Sequence, residues 1–593
     1  MSDLNSLEVE SRSEKSGALS ELDWRKRLTP IEPNTCADDV TVIIPCAGPP
    51  DESLLPVTGK SSSAMVPLNG KPVIFWNLTY LIQLGYRKFV IAVRHEDSLL
   101  CSFVKNVFGP KAEISFCTPD KNGALGDTIL CCAKFVTTNK ALIVLGDTFF
   151  EFPDLDLASV GESFVLTHPV EDHSRWCLAQ TAGDGIITRL IDKPTAPVTD
   201  DVKALIGVYG ISQWSQFLLT LIEQSAKVQQ TAKKTISLTD VLCSYNESQP
   251  LRTHEVSNWF DCGHADCLMQ SRRRLLQQRT FNSLSYDEMN GTITKGSRNQ
   301  EKFLDEIHYY MLLPGPLQIF FPRIINADTR LEMMSLTLEY YGYPTLAEVL
   351  LYESLDPLIW RQVFTHILRI VQTMSSYRIK ADRRIFEKMY LLQVSERVEK
   401  LRSMNSDLRQ LIEQKEVTLN DRALHGFPII WPIIQNLVAK LASHPDVAVI
   451  HGDMCFSNIL YDLNSRICKF IDPRGSFGEK GIYGDPRYDV AKLYHSLDGM
   501  YDYIVNDLFS VKKIGDGYQL EIYSTPSLSE IIAQFESVFF AHFPREEIKL
   551  IESLLFLSMG VFHYDNTARQ QAFFLNAIRI LNELLDSSTE NIK

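Results

Sequence analysis

From Val40 the chain falls into short runs of aliphatic and β-branched residues, "VTVIIPCAG", "KFVIAVR" and "ALIVLGD". Between them lie stretches whose apolar positions recur at helical spacing, such as "PVIFWNLTYLIQLGY". Strands alternating with helices predict a parallel sheet joined by crossovers, and the pattern runs to about Ala265. "DCLMQSRRRLLQQRTF" reads as a helix with its basic residues in solvent, which predicts a helical linker over 271–290. From Gly291 a few strand-like pieces reach Glu339, and long amphipathic helical stretches then fill Thr345 to Ala442, with more helices to the end. This predicts an α+β unit, with a small lobe over about 291–340 and a helical lobe over about 345–593. Residues 1–38 are rich in Ser and Glu without periodicity and predict a mobile arm. The first domain then covers 39–270 and the second 291–593.

Length agrees with two domains, since 593 residues exceed the roughly 250–300 at which one core stops growing. Apolar residues at 45% and charged residues at 22% are ordinary for a soluble globular chain. The formal charge of −14 argues against a broad nucleic-acid footprint, which needs a basic face. The first thirty residues lack the apolar core of a signal peptide, and the longest apolar run, "FPIIWPIIQNLVAKLA", is cut by Pro432. These features predict a cytoplasmic protein without membrane insertion; oligomeric state is not legible. The twelve cysteines are scattered without paired C-x-x-C spacing and are expected to be buried, reduced thiols.

The segment "VIHGDMCFSNILYDLNSRICKFIDPRG" holds Asp453, then Asn458 five residues on, then Asp472 fourteen residues further. Two strands around the turn "YDLNSR" bring the three together. Asn458 and Asp472 offer hard oxygens that suit magnesium, leaving Asp453 to accept a proton from an attacking hydroxyl. The plainer reading is a turn in which Asp and Asn cap backbone groups. In its residues His451, Gly452, Asp453, Asn458, Ile471 and Asp472, the segment resembles the H-G-D-x-x-x-x-N and I-D motifs of the aminoglycoside phosphotransferase and choline kinase group. "GDPRYDVAKL" looks like that group's following helix start. The resemblance implies a protein-kinase-like fold with ATP as phosphoryl donor. Lys295 on a strand and Glu306 on a helix would then hold the α- and β-phosphates, with Lys302 as a rival for the lysine role. Backbone near Glu339 to Tyr341, in "LTLEYYGYPTL", would receive adenine. No G-x-G-x-x-G loop is visible. Arg474, Lys480 and Arg487 are candidates to meet the acceptor.

The first domain resembles the nucleotidyltransferases that join a sugar or alcohol phosphate to a nucleoside triphosphate. The match rests on Ala47-Gly48 after the first strand, "VPLNGKPVI", "GALGDTI" beginning at Gly123, "LGD" ending in Asp147, "IDKP" with Lys193, "GVYGI", and "WFDCGHAD" with Asp261. It implies that Asp147 and Asp261 hold magnesium on the triphosphate, that Lys193 contacts the acceptor phosphate, and that the loop from Gly123 meets the base. The phosphate loop departs from the family pattern. Pro49 and Pro50 lack N–H donors, Asp51 and Glu52 add negative charge, the signature arginine is missing near Ser53 and Leu54, and Ser63 stands where a lysine is usual. Lys60 is a candidate replacement.

The expected protein is an α/β Rossmann-like nucleotidyltransferase domain followed by an α+β protein-kinase-like domain. The leading expectation is a bifunctional enzyme that phosphorylates a small hydroxylated molecule (an amino alcohol, sugar or polyol) and activates the phosphate as a nucleoside diphosphate conjugate. Such pairings resemble enzymes of surface polysaccharide and lipopolysaccharide synthesis. The cofactors implied are Mg2+, ATP and a second nucleoside triphosphate, with CTP preferred by resemblance to phosphocholine cytidylyltransferases. The alternative is a small-molecule kinase whose first domain has become a binding or regulatory module. A non-enzymatic scaffold ranks last.

Overall fold

The computed structural model describes residues 39–590 apart from 55–61, 121–122, 152–160, 197, 199–200, 231–234, 278–283, 298–299, 331–333, 353–354 and 444–445. The arm over 1–38 and Lys60 lie outside the described residues.

Strands β1 (Val40–Pro45), β2 (Lys88–Ala92), β3 (Glu113–Cys117) and β4 (Lys140–Val144) pair in parallel in the order β3-β2-β1-β4. Helices Val73–Gln83, Ser98–Phe108 and Leu125–Cys132 supply the crossovers, and β1 is buried at five of its six positions, as a strand covered on both faces requires. The expected all-parallel sheet ends there. After β5 (Thr148–Glu151) come β6 (Phe164–His168), β7 (Cys177–Thr181), β8 (Ile187–Asp192) and β9 (Val202–Ile211). β9 runs antiparallel to β4, β6 and β7, and the full order is β8-β7-β9-β4-β1-β2-β3, so the sheet is mixed. Only a tight turn through Gly185, at φ +81°, separates β7 from β8, and so short a connection permits antiparallel pairing alone. Strand β10 (Arg252–Glu255) adds to β6, and β11 (Asn258–Asp261) pairs antiparallel with β5.

The predicted linker over 271–290 is helical only in part. Its helix spans Ala265–Gln277, and β12 (Leu284–Asp287) already belongs to the next sheet. With β13 (Thr292–Lys295), β14 (Ile324–Asp328) and β15 (Ser335–Glu339), it forms an antiparallel sheet of order β12-β13-β15-β14, packed with helix Gln300–Leu312. The turn closing β12 on β13 uses Asn290, bonded to Asp287, and Gly291 at φ +60°.

The rest is mainly helical, but not wholly. Arg378–Lys380, Asp446–Val449 and Tyr483–Gly484 form a small sheet, and a second sheet pairs Glu416–Leu419 with Arg422–His425 and Gly517–Ile522. The apolar run that contains Pro432 is one helix, Phe427–Leu441. Buried Ile430, Ile434, Val438 and Leu441 hold it at helical spacing against the loss of one backbone hydrogen bond. A continuous apolar core runs from Val40 to Leu584 and includes residues of both halves. Among the described residues no helix is long and apolar enough to cross a membrane.

Candidate functional site

Asp147 follows β4, and its position next to Asp261 is set by strand register. Thr148 on β5 pairs with Asp261 on β11, and the Cys262 amide donates to the Asp147 carbonyl at 2.9 Å. Both carboxylates face Gly263. A Cβ there would stand 3.0 Å from Asp147 Oδ2 and 3.4 Å from Asp261 Oδ1. Burial, followed by the Asp261 charge, pushes the Asp147 carboxyl up to about 6. Two crowded carboxylates with hard oxygens fit a magnesium ion. Lys193 is exposed and sits at φ +42°, with its amide donating to the Trp176 carbonyl at 3.0 Å. The Trp176 ring stands edge-on to His264, 6.4 Å between centroids, which ties Lys193 to the neighbourhood of Asp261.

The phosphate-loop departures have structural partners. Asp51 accepts from the Ser53 amide at 2.9 Å and from the Ser53 hydroxyl at 2.5 Å, and these bonds hold its carboxyl below the usual range. Ser53 Oγ in turn accepts from the Ala265 amide at 3.2 Å, at the start of helix Ala265–Gln277. Where the family carries an arginine, this chain closes the loop onto that helix. Ala47 packs against a separate, smaller apolar cluster that includes Ile43, Ile129 and Ile143, and a Cβ on Gly48 would meet nothing within 4 Å. Gly123 leads into helix Leu125–Cys132, where Asp127 accepts from the amides of Ala124 at 2.8 Å and Ile236 at 3.0 Å. A Cβ on Gly123 would lie 2.9 Å from the Asp127 Cβ, so the position has little room for a side chain.

In the second half, hairpin Ile459–Asp462/Ile467–Phe470 follows the His451-Gly452-Asp453 turn. The Asp453 carboxylate pairs with Lys492 at 2.9 Å, and the Asn458 side-chain amide donates to the Asp453 carbonyl at 2.9 Å and approaches its Oδ2 at 3.3 Å. Burial opposes ionisation of Asp453, but Lys492 outweighs it and holds the carboxyl below its ordinary value. The Ile471 amide donates to the Asn458 carbonyl at 3.0 Å, which sets Asp472 beside Asn458. Lys295, at the end of β13, donates to Glu306 and, at 2.6 Å, to Asp472 Oδ1. Burial works against the ammonium, yet the two carboxylates raise its pKa, so it stays a cation. Glu306 is pushed up, first by burial. Asp472 holds φ +55°, a left-handed strain that turns its carboxylate back toward Lys295. The rival Lys302 is exposed on the neighbouring helix.

At the expected adenine position two amides are engaged, Glu339 with the Arg323 carbonyl at 3.0 Å and Tyr340 with the Gly291 carbonyl at 2.9 Å. Tyr341 donates its hydroxyl to Glu339 at 2.9 Å and lies under the Lys469 ammonium, 4.8 Å from the ring centre. Of the three cations proposed for the acceptor, Arg487 is taken up by Asp485 and Glu547, and Lys480 by Glu301 and Asp305. Arg474 reaches the Tyr488 hydroxyl at 3.4 Å.

Sequence reasoning missed several residues. Asp489 receives the amides of His451 at 2.7 Å and Gly452 at 2.8 Å, and Lys492 lies one helical turn on. Their i, i+3 spacing in "GDPRYDVAKL" was the available signal. His264 and Cys267 also escaped notice, because a search for paired cysteines passes over D-x-x-H-x-x-C. The thiols are not all buried: Cys243 is exposed, and Cys101, Cys131, Cys177 and Cys267 are partly so.

The family described as nucleotidyl transferase matches residues 47–278. The low-salt glycan biosynthesis nucleotidyltransferase of Haloferax volcanii is 23% identical over 239 residues, which is 38% of this chain and 64% of that protein. A glucose-1-phosphate thymidylyltransferase of Mycobacterium tuberculosis is 23% identical over 253 residues, 41% of this chain and 85% of that protein. Among solved structures, UDP-glucose pyrophosphorylase complexed with UDP-glucose covers 40% of this chain and 98% of its own, at 18% identity and a TM-score of 0.34.

Proposed function

We propose, from the premise that residues 47–278 are a nucleotidyl transferase domain, that this half transfers a nucleotidyl group from a nucleoside triphosphate to a sugar or amino-alcohol phosphate. The facing pair Asp147 and Asp261 carries the reading. Their oxygens would hold Mg2+, which when bound neutralises charge on the triphosphate. Lys193 would steady the acceptor phosphate, and the loop from Gly123 would receive the base.

The second half completes the proposal as an ATP-dependent phosphotransferase that makes the phosphate consumed by the first. The observation that supports it is one ammonium, Lys295, shared by Glu306 and Asp472, 177 residues from the latter. Asp453, ionised beside Lys492, would accept the proton of the attacking hydroxyl while Asn458 and Asp472 supply metal oxygens. A second reading, a kinase with a non-catalytic first domain, is favoured by one observation: Asp51 and Ser53 close the loop where a phosphate-binding arginine is usual.

The test is a screen of the full chain with Mg2+, ATP and other nucleoside triphosphates against amino alcohols, sugars and their phosphates, recording ADP and pyrophosphate separately. Asp453→Asn should cut ADP formation by about 10²–10⁴-fold and spare pyrophosphate release from a supplied phosphate, with Asp147→Asn doing the reverse. Equal loss of both products in either variant would overturn the two-site reading. ADP alone from the unaltered protein, with its phosphorylated product abundant, would favour the second.

A further inference from the structure

The two carboxylate oxygens of Asp261 have different neighbours. Oδ1 accepts from the Gly263 amide at 3.3 Å, whereas Oδ2 lies 3.6 Å from His264 Nδ1. Both of these latter atoms are buried, and neither has a hydrogen-bond partner among the described residues. Two unpartnered buried atoms at a spacing too long for a hydrogen bond are costly unless something sits between them. Donors each about 2.0–2.1 Å from one tetrahedral ion stand about 3.3 Å apart, close to the spacing here. Cys267 adds a third donor, and ligand atoms of Asp261, His264 and Cys267 all lie within 4.8 Å of one another.

The surroundings fit the same occupant. His264 Nε2 lies 3.9 Å from Asp51 Oδ2, so the imidazole stands between two carboxylates, those of Asp51 and Asp261. Trp176 walls the ring edge-on. Arg175 NH1 approaches Cys267 Sγ at 3.6 Å from the side of the Asp266 ion pair. A carboxylate, an imidazole and a thiol select a borderline-soft ion over magnesium, which prefers oxygen alone.

We propose that Asp261 (through Oδ2), His264 and Cys267 form a site for a divalent metal of the zinc class. The site keeps a fourth position for solvent or ligand, because among the described residues three donors converge. It stands whether or not the first half transfers nucleotides.

The test uses the full chain, stripped with a chelator and held in millimolar Mg2+, titrated with Zn2+ by calorimetry and with Co2+ by absorbance. The expected result is a thiolate–cobalt charge-transfer band absent from Cys267→Ser, together with Zn2+ affinity weakened by about tenfold or more in His264→Ala. In the unaltered protein, Zn2+ should also protect Cys267 from alkylation, read residue by residue by mass spectrometry, which does not depend on any variant folding. Absence of the band, its survival in a folded Cys267→Ser, unchanged zinc affinity in His264→Ala, or equal alkylation of Cys267 with and without Zn2+ would each overturn the proposal.

Discussion

His451 is fully buried, and its partners define its state: Nδ1 accepts from the Asp453 amide at 3.2 Å, and Nε2 faces the Ile471 carbonyl at 3.0 Å. Only the neutral ring with its proton on Nε2 satisfies both. Burial drives its pKa down to about 4. Between an ordinary value of about 6.5 and that level the unfolded chain binds a proton that the native ring refuses. The stability tied to His451 is therefore intact above pH 6.5 and lost as pH falls toward 4, by up to ~3 kcal/mol. Chemical unfolding of the protein and of His451→Gln across that window should show the extra acid sensitivity in the former alone; parallel profiles would count against it. At this scale the motif residues were legible because their types and spacing carry chemistry. Asp489 stood inside the quoted helix start without a role of its own, and Lys492 was passed over, since a lysine on a helix is usually a solvated charge until packing buries it.

At the level of elements, the geometry depends on close contacts that sequence patterns do not display. Gly475, in the loop after Asp472, lies against helix Gln300–Leu312 so tightly that a Cβ would come 2.0 Å from the Asp305 carbonyl oxygen, one residue before Glu306. Gly475→Ala must push that helix and with it Glu306 away from Lys295. The expected outcome is a loss of ~1–3 kcal/mol in stability and, under the proposed two-site function, a fall in ADP formation with pyrophosphate release unchanged. Unaltered ADP formation in the variant would show that the helix position does not matter. Likewise the β5–β11 register, not any motif, delivers Asp147 to Asp261. The hydrophobic pattern revealed β1, β2 and β4, but the part-exposed edge strand β3 and the antiparallel half of the sheet were hidden. A buried strand reads as the same apolar run in either direction.

Across the whole molecule, the hairpin Pro67–Leu68/Lys71–Pro72 plugs into the second half. The Gly70 amide donates to Glu348 at 2.7 Å, and Lys71 to Asn506 at 2.7 Å. Glu348 is 8% exposed and also accepts from the Thr345 amide at 2.8 Å, just beyond β15. Arg272 clamps the same hairpin through the Pro67 carbonyl, and Phe103 meets Tyr352 edge-on at 5.9 Å. With one apolar core spanning both halves, calorimetry of the full chain should show a single unfolding transition. Glu348→Ala, which removes the acceptor of two part-buried amides, should lower stability by ~1–3 kcal/mol. Two resolved transitions in the unaltered protein would mean that the shared core does not couple the halves.

The sequence by itself determined the division into an α/β first half and a mixed, then helical second half, together with the identities of Asp453, Asn458, Asp472, Asp147 and Asp261 as candidate chemistry. Periodicity and local spacing are properties of neighbouring residues, so they can be read from the chain. Only the tertiary structure decided that Lys295 meets both Glu306 and Asp472, that Asp147 and Asp261 converge on Gly263 with His264 beside Asp261, and that the Asn69-Gly70 turn docks on Glu348. Each of these joins residues brought together by strand register or packing, and charge and hydrogen-bonding partners at that separation are chosen by the folded core rather than by the local sequence.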